Sequence, residues 1–335
     1  MATSPRIGLV LGAGGAVGHA YHGGVLAALE EVTGWDPRDA EVITGTSAGS
    51  VVGSLLRAGF SAPDLAARST GDALSAEGQA LLNRAGTDGR PVSIPSRPPR
   101  RRGLPRMASP ALLARAALRP FWMNRPGVML AGALPAGGVP TDLISTGLRK
   151  LFGTDWPERE LWLTAVRLSD GRRVVFGRDG APVAHVADAV AASCAIPGFF
   201  EPVTIDGVSY VDGGAHSPTN ADLLVDRSGD LDLVIVSSPM SVAGNRLRPS
   251  LDLPARRMCR LYLGQEVARI RRRGVPVLVF QPTGADLAAM GLNAMDPQRR
   301  GPVTNQARDS ARRKLERAEV RELVSLFSTA STSAR

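Results

Sequence analysis

The chain has 335 residues, of which 44% are hydrophobic and 21% charged. These values are typical of a globular protein with a packed core, and they exclude the disordered and fibrous classes. Its formal net charge of +9 favours an acidic partner, either nucleic acid or an anionic membrane surface. Its only two cysteines, Cys194 and Cys259, are too few for a disulfide scaffold and lack the spacing of a zinc or redox motif.

The N-terminal residues give no sign of export or of a membrane anchor. The first apolar run, Ile7–Leu11, is too short for the core of a signal peptide and is followed by glycines. No window reaches the roughly 18 consecutive apolar residues of a membrane-spanning helix. We therefore expect a cytoplasmic protein, either fully soluble or peripheral to a membrane. The oligomeric state stays open.

Two strand–loop–helix units begin the chain. The apolar run 7–11 predicts a buried strand, and the spacing over 19–32 predicts a helix. A second strand is predicted over 41–44 and a second helix over 48–57. Consecutive units of this kind indicate a parallel sheet with helices on its faces. The sequence thus begins as an α/β domain.

The middle of the chain has a different composition. Residues 61–140 contain many prolines and the run Arg100-Arg101-Arg102, which disfavours continuous sheet or a long helix. We interpret them as an inserted cap or lid. The pattern beyond them predicts hairpins over 161–176 and 203–211, a helix over 186–195, strands over 231–236 and 275–280, and an amphipathic helix over 309–326. We expect one domain over 5–335, ending in a helix and tail over 305–335.

A nucleophile is predicted at the second turn. Gly45, Ser47 and Gly49 have the spacing of a sharp turn from strand to helix, which needs small residues on both sides of an exposed serine hydroxyl. The N-terminus of the following helix would favour negative charge developing beside that serine. Because short glycine patterns also arise by chance, the predicted strand, turn and helix around Ser47 are what support this hypothesis.

The glycine-rich loop 12–18 has three interpretations. It can be a tight structural turn, a dinucleotide-binding loop or an oxyanion hole. A dinucleotide site needs an acidic residue at the end of the second strand, but that strand ends at Thr44 and Gly45. The oxyanion interpretation fits better, because neighbouring parallel strands would bring the N–H groups of Gly14 and Gly15 near the serine.

A catalytic base is the remaining requirement. Asp212 precedes Gly213 and Gly214 in an open turn that another loop can approach, although an Asp-Gly pair often only shapes a turn. The alternative is a Ser-His-Asp triad that uses His216 on an α/β-hydrolase fold. That fold places its serine after several strands, whereas Ser47 follows the second strand and no histidine lies in a late loop.

Taken together, these motifs resemble the patatin-like phospholipase family, in its bacterial branch. The resemblance lies in four segments, in order: 12–18, 45–49, 192–200 and 212–214. It extends over about 7–218, with a weaker match near 293–300, and leaves 61–140 uncovered. The family usually has Arg or Lys where this chain has Val17, so a cation beside the oxyanion hole is missing.

The resemblance implies a three-layer α/β/α fold with a mostly parallel sheet. It implies a serine lipid acyl hydrolase, of phospholipase A or carboxylesterase type, that needs no metal or cofactor. It also implies a dyad of Ser47 and Asp212 without histidine, with Gly14 and Gly15 as the oxyanion hole. The glycines that would support these motifs are Gly12, Gly18, Gly45, Gly49, Gly213 and Gly214. Burial of the aspartate would raise its pKa and make it a better proton acceptor.

The substrate expected from this resemblance is a lipid or another fatty-acyl ester. Segment 61–140 places apolar residues among arginines, which suits the surface of a lipid aggregate, and an ordinary cap over the pocket is the other interpretation. Nucleic acid is not an expected partner, because no aromatic residues interleave with the arginine clusters. The apolar residues in question are Leu112, Leu113, Leu118, Phe121, Trp122 and Met123.

Overall fold

The computed structural model describes residues 5–86, 107–118, 125–244 and 249–323. Its described strands form one sheet in the order β5-β6-β3-β2-β1-β7-β8, with β4 also paired to β3. The strands are β1 (Ile7–Leu11), β2 (Val42–Gly45), β3 (Glu160–Arg167), β4 (Arg173–Phe176), β5 (Val203–Ile205), β6 (Val208–Asp212), β7 (Leu233–Ser237) and β8 (Val277–Phe280).

The sheet is mixed but mostly parallel. Strands β3, β2, β1, β7 and β8 run parallel to one another. Strands β4 and β6 pair antiparallel with β3, and β5 pairs antiparallel with β6. The predicted parallel sheet and both predicted hairpins are therefore confirmed.

Short helices connect and cover these strands. The described α-helices are α1 (Gly15–Thr33), α2 (Ala48–Arg57), α3 (Ala62–Thr70), α4 (Ala76–Ala85), α5 (Pro110–Ala117), α6 (Pro126–Ala133), α7 (Asp142–Leu151), α8 (Val186–Cys194), α9 (Leu253–Arg271), α10 (Gly284–Met290) and α11 (Arg300–Leu315). None of them combines the length and the apolar composition needed to cross a lipid bilayer.

Two apolar cores lie on opposite faces of the sheet. Successive residues of β1 alternate between them, since Leu9 and Leu11 belong to the larger core and Val10 to the smaller one. The larger core is covered by α1, α2, α8 and α11, and the smaller one by α9. The molecule is thus a three-layer α/β/α structure, as the resemblance implied.

The last long helix begins earlier than the sequence pattern predicts. The pattern placed a helix over 309–326, but α11 starts at Arg300 and stops at Leu315. Its first turns are mostly polar, and only Val303 and Ala307 carry the apolar spacing onto α1. Because so few apolar residues mark the first turns, the pattern placed the start of the helix too late in the sequence.

Segment 61–140, predicted as a cap, supplies buried side chains to the larger core and to one edge of the sheet. Leu65 of α3 is part of the larger core. Leu112 is only 2% exposed and packs with Val166 and Val211 at the sheet edge. Of the two interpretations of this segment, the buried position of Leu112 fits a packed element and not a lipid surface, whereas Leu118 is 87% exposed. Residues 97–102 and 121–123 lie outside the described part, and the cap role of the segment stays a prediction.

Candidate active site

Strand β3 brings the two predicted catalytic side chains together. Gly45 at the end of β2 pairs with Leu163, and Asp212 at the end of β6 pairs with Ala165. The two strand ends therefore meet two residues apart along β3. Ser47 closely follows Gly45, so its side chain lies near the carboxylate of Asp212 and lowers the pKa of that carboxyl.

Ser47 occupies a strained turn at the start of α2. Its φ of 53° and ψ of −119° lie in a region that L-residues rarely adopt. The turn depends on Gly49, because a Cβ there would overlap the carbonyl oxygen of Leu11. Gly45 is similarly confined, with its Cβ position 2.6 Å from the Cα of Ser50. The turn that a serine nucleophile requires is present.

The end of α8 holds the backbones of both candidate residues. The Ser47 N–H donates to Ser193 Oγ at 3.0 Å, and Cys194 Sγ donates to the Ser47 carbonyl at 3.3 Å. One residue later, the Ala195 carbonyl accepts the Asp212 N–H at 2.9 Å. Segment 192–200, which the sequence marked only by resemblance, therefore positions Ser47 and Asp212 relative to each other.

Asp212 is buried, and its environment raises its pKa. The side chain is 5% exposed, and desolvation raises the pKa of the carboxyl from 3.8 to about 6. The nearby Ser47 side chain and the hydrogen bond from the Gly214 N–H, at 2.7 Å, act in the opposite direction and stabilise the carboxylate. Gly213 packs beside Thr164 of β3. The result is a buried carboxylate that is ionised near neutral pH and is a stronger base than a solvated aspartate.

A buried polar network fixes the loop after Asp212. Asn220, in the left-handed region at φ 51°, donates to Thr46 Oγ1 at 3.1 Å and to the Ser217 carbonyl at 2.6 Å. Thr46 in turn bonds Thr164 Oγ1 at 2.8 Å. Glu266 of α9 accepts from Ser217 Oγ at 2.5 Å, which ties the loop to the far face of the sheet. Such a satisfied network restricts movement of the aspartate.

The glycine-rich loop is held by its neighbours and leaves N–H groups free. The Gly12 N–H donates to the Ser237 carbonyl at 2.9 Å, and His22 Nε2 bonds the Gly12 carbonyl at 2.8 Å. Within the described ranges, no acceptor takes the N–H of Gly14 or Gly15. Gly18 follows in α1 and donates to the Gly14 carbonyl at 2.9 Å. Free N–H groups at a helix N-terminus are the donors that an oxyanion needs.

At Gly15, both the backbone conformation and a close neighbour require a glycine. Its φ of 62° is in the left-handed region, and a Cβ would lie 2.7 Å from the Ala294 carbonyl oxygen. That carbonyl also accepts the Val17 N–H at 3.1 Å. Segment 293–300, where the sequence gave a weaker match, thus supports the loop from outside.

A cavity of about 420 Å³ opens beside Ser47. Most of its wall is apolar, and the aliphatic and aromatic side chains are Val51, Leu55, Phe60, Leu82, Leu143, Ile144, Leu148, Leu151, Ile196 and Phe200. Gly15 lies on the wall together with Ser47, so the glycine-rich loop and the serine border the same space, whereas Gly14 is not part of the lining. His19, Arg68 and Arg300 give the cavity a polar section. The size and composition suit an acyl chain with an ester at one end.

The histidines are poorly suited to replace Asp212 as the base beside Ser47. His216, the candidate for a triad, does not line the cavity, and burial lowers its pKa to about 3. His22 is held by Gly12 and Ser237 Oγ, and His185 caps α8. His19 lines the cavity, but burial and the nearby arginines lower its pKa well below the usual value.

No metal site emerges from the part of the chain that the structure describes: no three His, Cys, Asp or Glu side chains form a group that could hold an ion. The expectation that no metal or cofactor is needed stays a prediction.

A comparison with known protein families identifies the family of this chain. The model of the family described as patatin-like phospholipase matches residues 9–225. The chain belongs to the patatin-like phospholipase family. The match includes the glycine-rich loop, the Ser47 turn and Asp212, and it favours a lipid ester hydrolase over the dinucleotide-binding alternative.

The solved structures that match this patatin-like chain have low sequence identity to it. The crystal structure of VipD from Legionella pneumophila matches with 13% identity and a TM-score of 0.40, covering 94% of this chain and 67% of VipD. The type III effector protein ExoU matches with 18% identity and a TM-score of 0.39, covering 93% of this chain and 53% of ExoU. A comparison with curated protein sequences gives no match.

Several residues around the site of this family member escaped the sequence analysis. Ser193, Asn220 and Glu266 act through contacts between distant segments, which no local pattern reveals. Arg68 and Arg300, which line the cavity, belong to helices whose sequences are typical of basic, solvent-exposed helices. Two signals were available: segment 192–200, which contains Ser193 and Pro197, and the weaker match near 293–300, which ends at Arg300. The resemblance marked both segments without giving a physical reason for them.

Proposed function

We propose that the protein is a serine lipid acyl hydrolase, of phospholipase A or carboxylesterase type, in which Ser47 is the nucleophile and Asp212 the base. The observation that carries the proposal is that the strained Ser47 turn and the buried Asp212 carboxylate meet along β3, beside a largely apolar cavity. Family membership supports the reaction class.

The reaction follows from these positions in two steps. The Ser47 hydroxyl attacks the ester carbonyl while Asp212 takes its proton, and the N–H groups of Gly14 and Gly15 bind the oxyanion. The proton on Asp212 then passes to the alcohol as it leaves, which gives acyl-Ser47 and an ionised aspartate. A water molecule deprotonated by Asp212 hydrolyses the acyl-enzyme and restores the hydroxyl.

The cavity supports a fatty-acyl ester as substrate. Its apolar wall would bury the hydrocarbon chain, and each buried CH₂ group contributes about 0.8 kcal/mol. With Ser47 at one side of the space, the ester group stays next to the hydroxyl while the chain occupies the rest.

Substitution of the proposed base tests the dyad against the triad. Asp212→Asn keeps the shape of the side chain but removes its basicity, so we expect kcat for p-nitrophenyl butyrate to fall by at least about 10³-fold. Ser47→Ala should lose activity to the same extent. The measurement is the rate of p-nitrophenol release at saturating ester.

His216→Ala is the matched control, because His216 is buried yet does not line the cavity. It should keep most of the activity of the wild type. Full activity in Asp212→Asn together with its loss in His216→Ala would replace the dyad by a histidine-dependent mechanism.

We also propose that the protein binds peripherally to anionic membranes through α5 and α6. Leu118 and Leu130 are 87% and 57% exposed there, and the net charge is +9. Leu118→Asp with Leu130→Asp should weaken flotation with phosphatidylglycerol vesicles, and Leu261→Asp on α9, where Leu261 is 68% exposed, is the control. Equal flotation of both variants and the wild type would contradict this membrane contact.

A further inference from the structure

One section of the cavity carries two cationic side chains without counterions. Arg68 comes from the last turn of α3 and Arg300 is the first residue of α11, and both line the cavity that contains Ser47. Arg68 Nε and Nη1 and Arg300 Nε are buried and have no hydrogen-bond partner. Among the described residues, neither guanidinium takes part in an ion pair.

This arrangement is unfavourable for the empty protein. Burial and, to a smaller extent, the charge of Arg300 lower the pKa of Arg68 to about 10; burial also lowers the pKa of Arg300. Both side chains are half-buried, and partly desolvated charge without a counterion is unfavourable. Arg68 stacks at 5.1 Å on the ring of Phe60, which orients the guanidinium plane but satisfies none of its N–H groups. An anion placed between the two arginines would satisfy them.

The position of the arginines relative to the ester is set by α1. Gly15 and His19 both line the cavity and are four residues apart, so they lie on one face of the helix about 6 Å apart along its axis. His19 feels the charges of both Arg300 and Arg68. The cationic section thus belongs to the same cavity lining as His19, which is one helical turn from Gly15 of the glycine-rich loop.

Glycerophospholipids have an anion at a matching separation. Their phosphorus atom is five bonds from the carbonyl carbon of the nearer ester, a reach comparable with one helical turn of about 5.4 Å. Guanidinium groups bind phosphate oxygens with strong, often bidentate hydrogen bonds. The loop itself offers no cation, because Val17 stands where the resemblance implies Arg or Lys.

We propose that Arg68 and Arg300 form a binding site for the phosphodiester of a glycerophospholipid whose acyl ester lies at Ser47. The inference rests on the proposed function and narrows it to phospholipids. The two helices supply the positive charge that the glycine-rich loop lacks.

Hydrolysis of two matched lipids tests this specificity. In mixed micelles, kcat/KM is measured for a phosphatidylcholine and for the diacylglycerol with the same acyl chains. We expect the wild type to prefer the phospholipid, and Arg68→Gln with Arg300→Gln to reduce kcat/KM for it by at least about tenfold, with little change for diacylglycerol. Arg273→Gln, which removes an exposed arginine at the end of α9, is the control and should behave as the wild type.

Binding without turnover separates this inference from the proposed function. In the Ser47→Ala protein, calorimetric titration with glycerophosphocholine, inorganic phosphate and octanoate compares a phosphodiester, a free phosphate and a fatty-acid carboxylate. We expect glycerophosphocholine to bind most tightly, and the double arginine variant in this background to lose that binding. If the wild type hydrolyses no ester but the Ser47→Ala protein still binds glycerophosphocholine in this way, the proposed function is refuted and the anion site is not.

Three results would overturn the inference. The double variant could keep the preference for phosphatidylcholine; inorganic phosphate or octanoate could bind more tightly than the phosphodiester; or binding of glycerophosphocholine could survive both substitutions. Thermal unfolding of the double variant serves as the check on folding, and its Tm should not fall, because the substitutions remove two unpaired charges.

Discussion

Asp212 shows how a single residue can serve chemistry at the expense of stability. Its carboxylate is ionised in the folded protein only above a pKa of about 6, whereas the ordinary value is 3.8. The folded state therefore holds the proton more tightly than the unfolded state does. Above pH 6 the protein carries a buried charge that destabilises it, and this cost disappears as the pH falls through 6 and then below 4.

The pH dependence of activity and stability should reflect this shift. kcat/KM for p-nitrophenyl butyrate should rise with a single ionisation near pH 6 and stay level above it, since the base must be ionised. Asp212→Asn should be more stable than the wild type at about pH 8, by up to about 3 kcal/mol, because it removes the buried charge. Urea denaturation at several pH values measures the difference.

The comparison between pH values is the control, since the other carboxyl groups are the same in both proteins. The advantage of Asp212→Asn should shrink toward zero near pH 4. A variant less stable than the wild type at every pH would show that the carboxylate stabilises the fold, and an activity profile without an ionisation near 6 would remove Asp212 as the base.

At the scale of elements, the turn between β2 and α2 depends on close packing against β1. Gly49 lies so near the Leu11 carbonyl that a Cβ would overlap it. Gly49→Ala should therefore lower the free energy of unfolding by several kcal/mol or prevent folding, as overpacked cores do at their most severe. Thermal unfolding, together with recovery of soluble protein, measures the effect.

A helical glycine elsewhere gives the matched control. Gly264 in α9 has open space around the position of a Cβ. Gly264→Ala should raise the free energy of unfolding by up to about 1 kcal/mol, because alanine is the better helix former. Similar behaviour of the two alanine variants would contradict the close approach at Gly49.

The sequence predicted elements well where one periodicity dominated. Units β1–α1 and β2–α2 follow from apolar runs and glycines, and their bounds differ from the prediction by a few residues. Helix α11 was misplaced because small residues such as Ala307, and not large apolar ones, contact α1. For Leu112 a lipid surface and a packed cap both stayed open, because local pattern cannot show that a sheet edge lies beneath it.

At the scale of the whole molecule, the cavity assembles residues that are remote in the sequence. Ser47, Asp212 and the glycine pair were predicted because each lies in a recognisable turn, and the structure brings the first two into contact. Arg68 and Arg300 belong to helices α3 and α11, which pack against each other although they are remote in the sequence, so no local pattern shows that the two arginines share a cavity. Sequence patterns thus reveal local geometry, whereas electrostatic neighbours depend on tertiary packing.

The account depends on one serine being activated among many hydroxyl groups in the chain. Treatment of the intact protein with a fluorophosphonate, followed by peptide mapping, identifies the nucleophile directly. We predict a single modification, on Ser47, and much slower labelling in the Asp212→Asn protein. Labelling at another residue, or labelling of Ser47 at the same rate without the carboxylate, would contradict the mechanism.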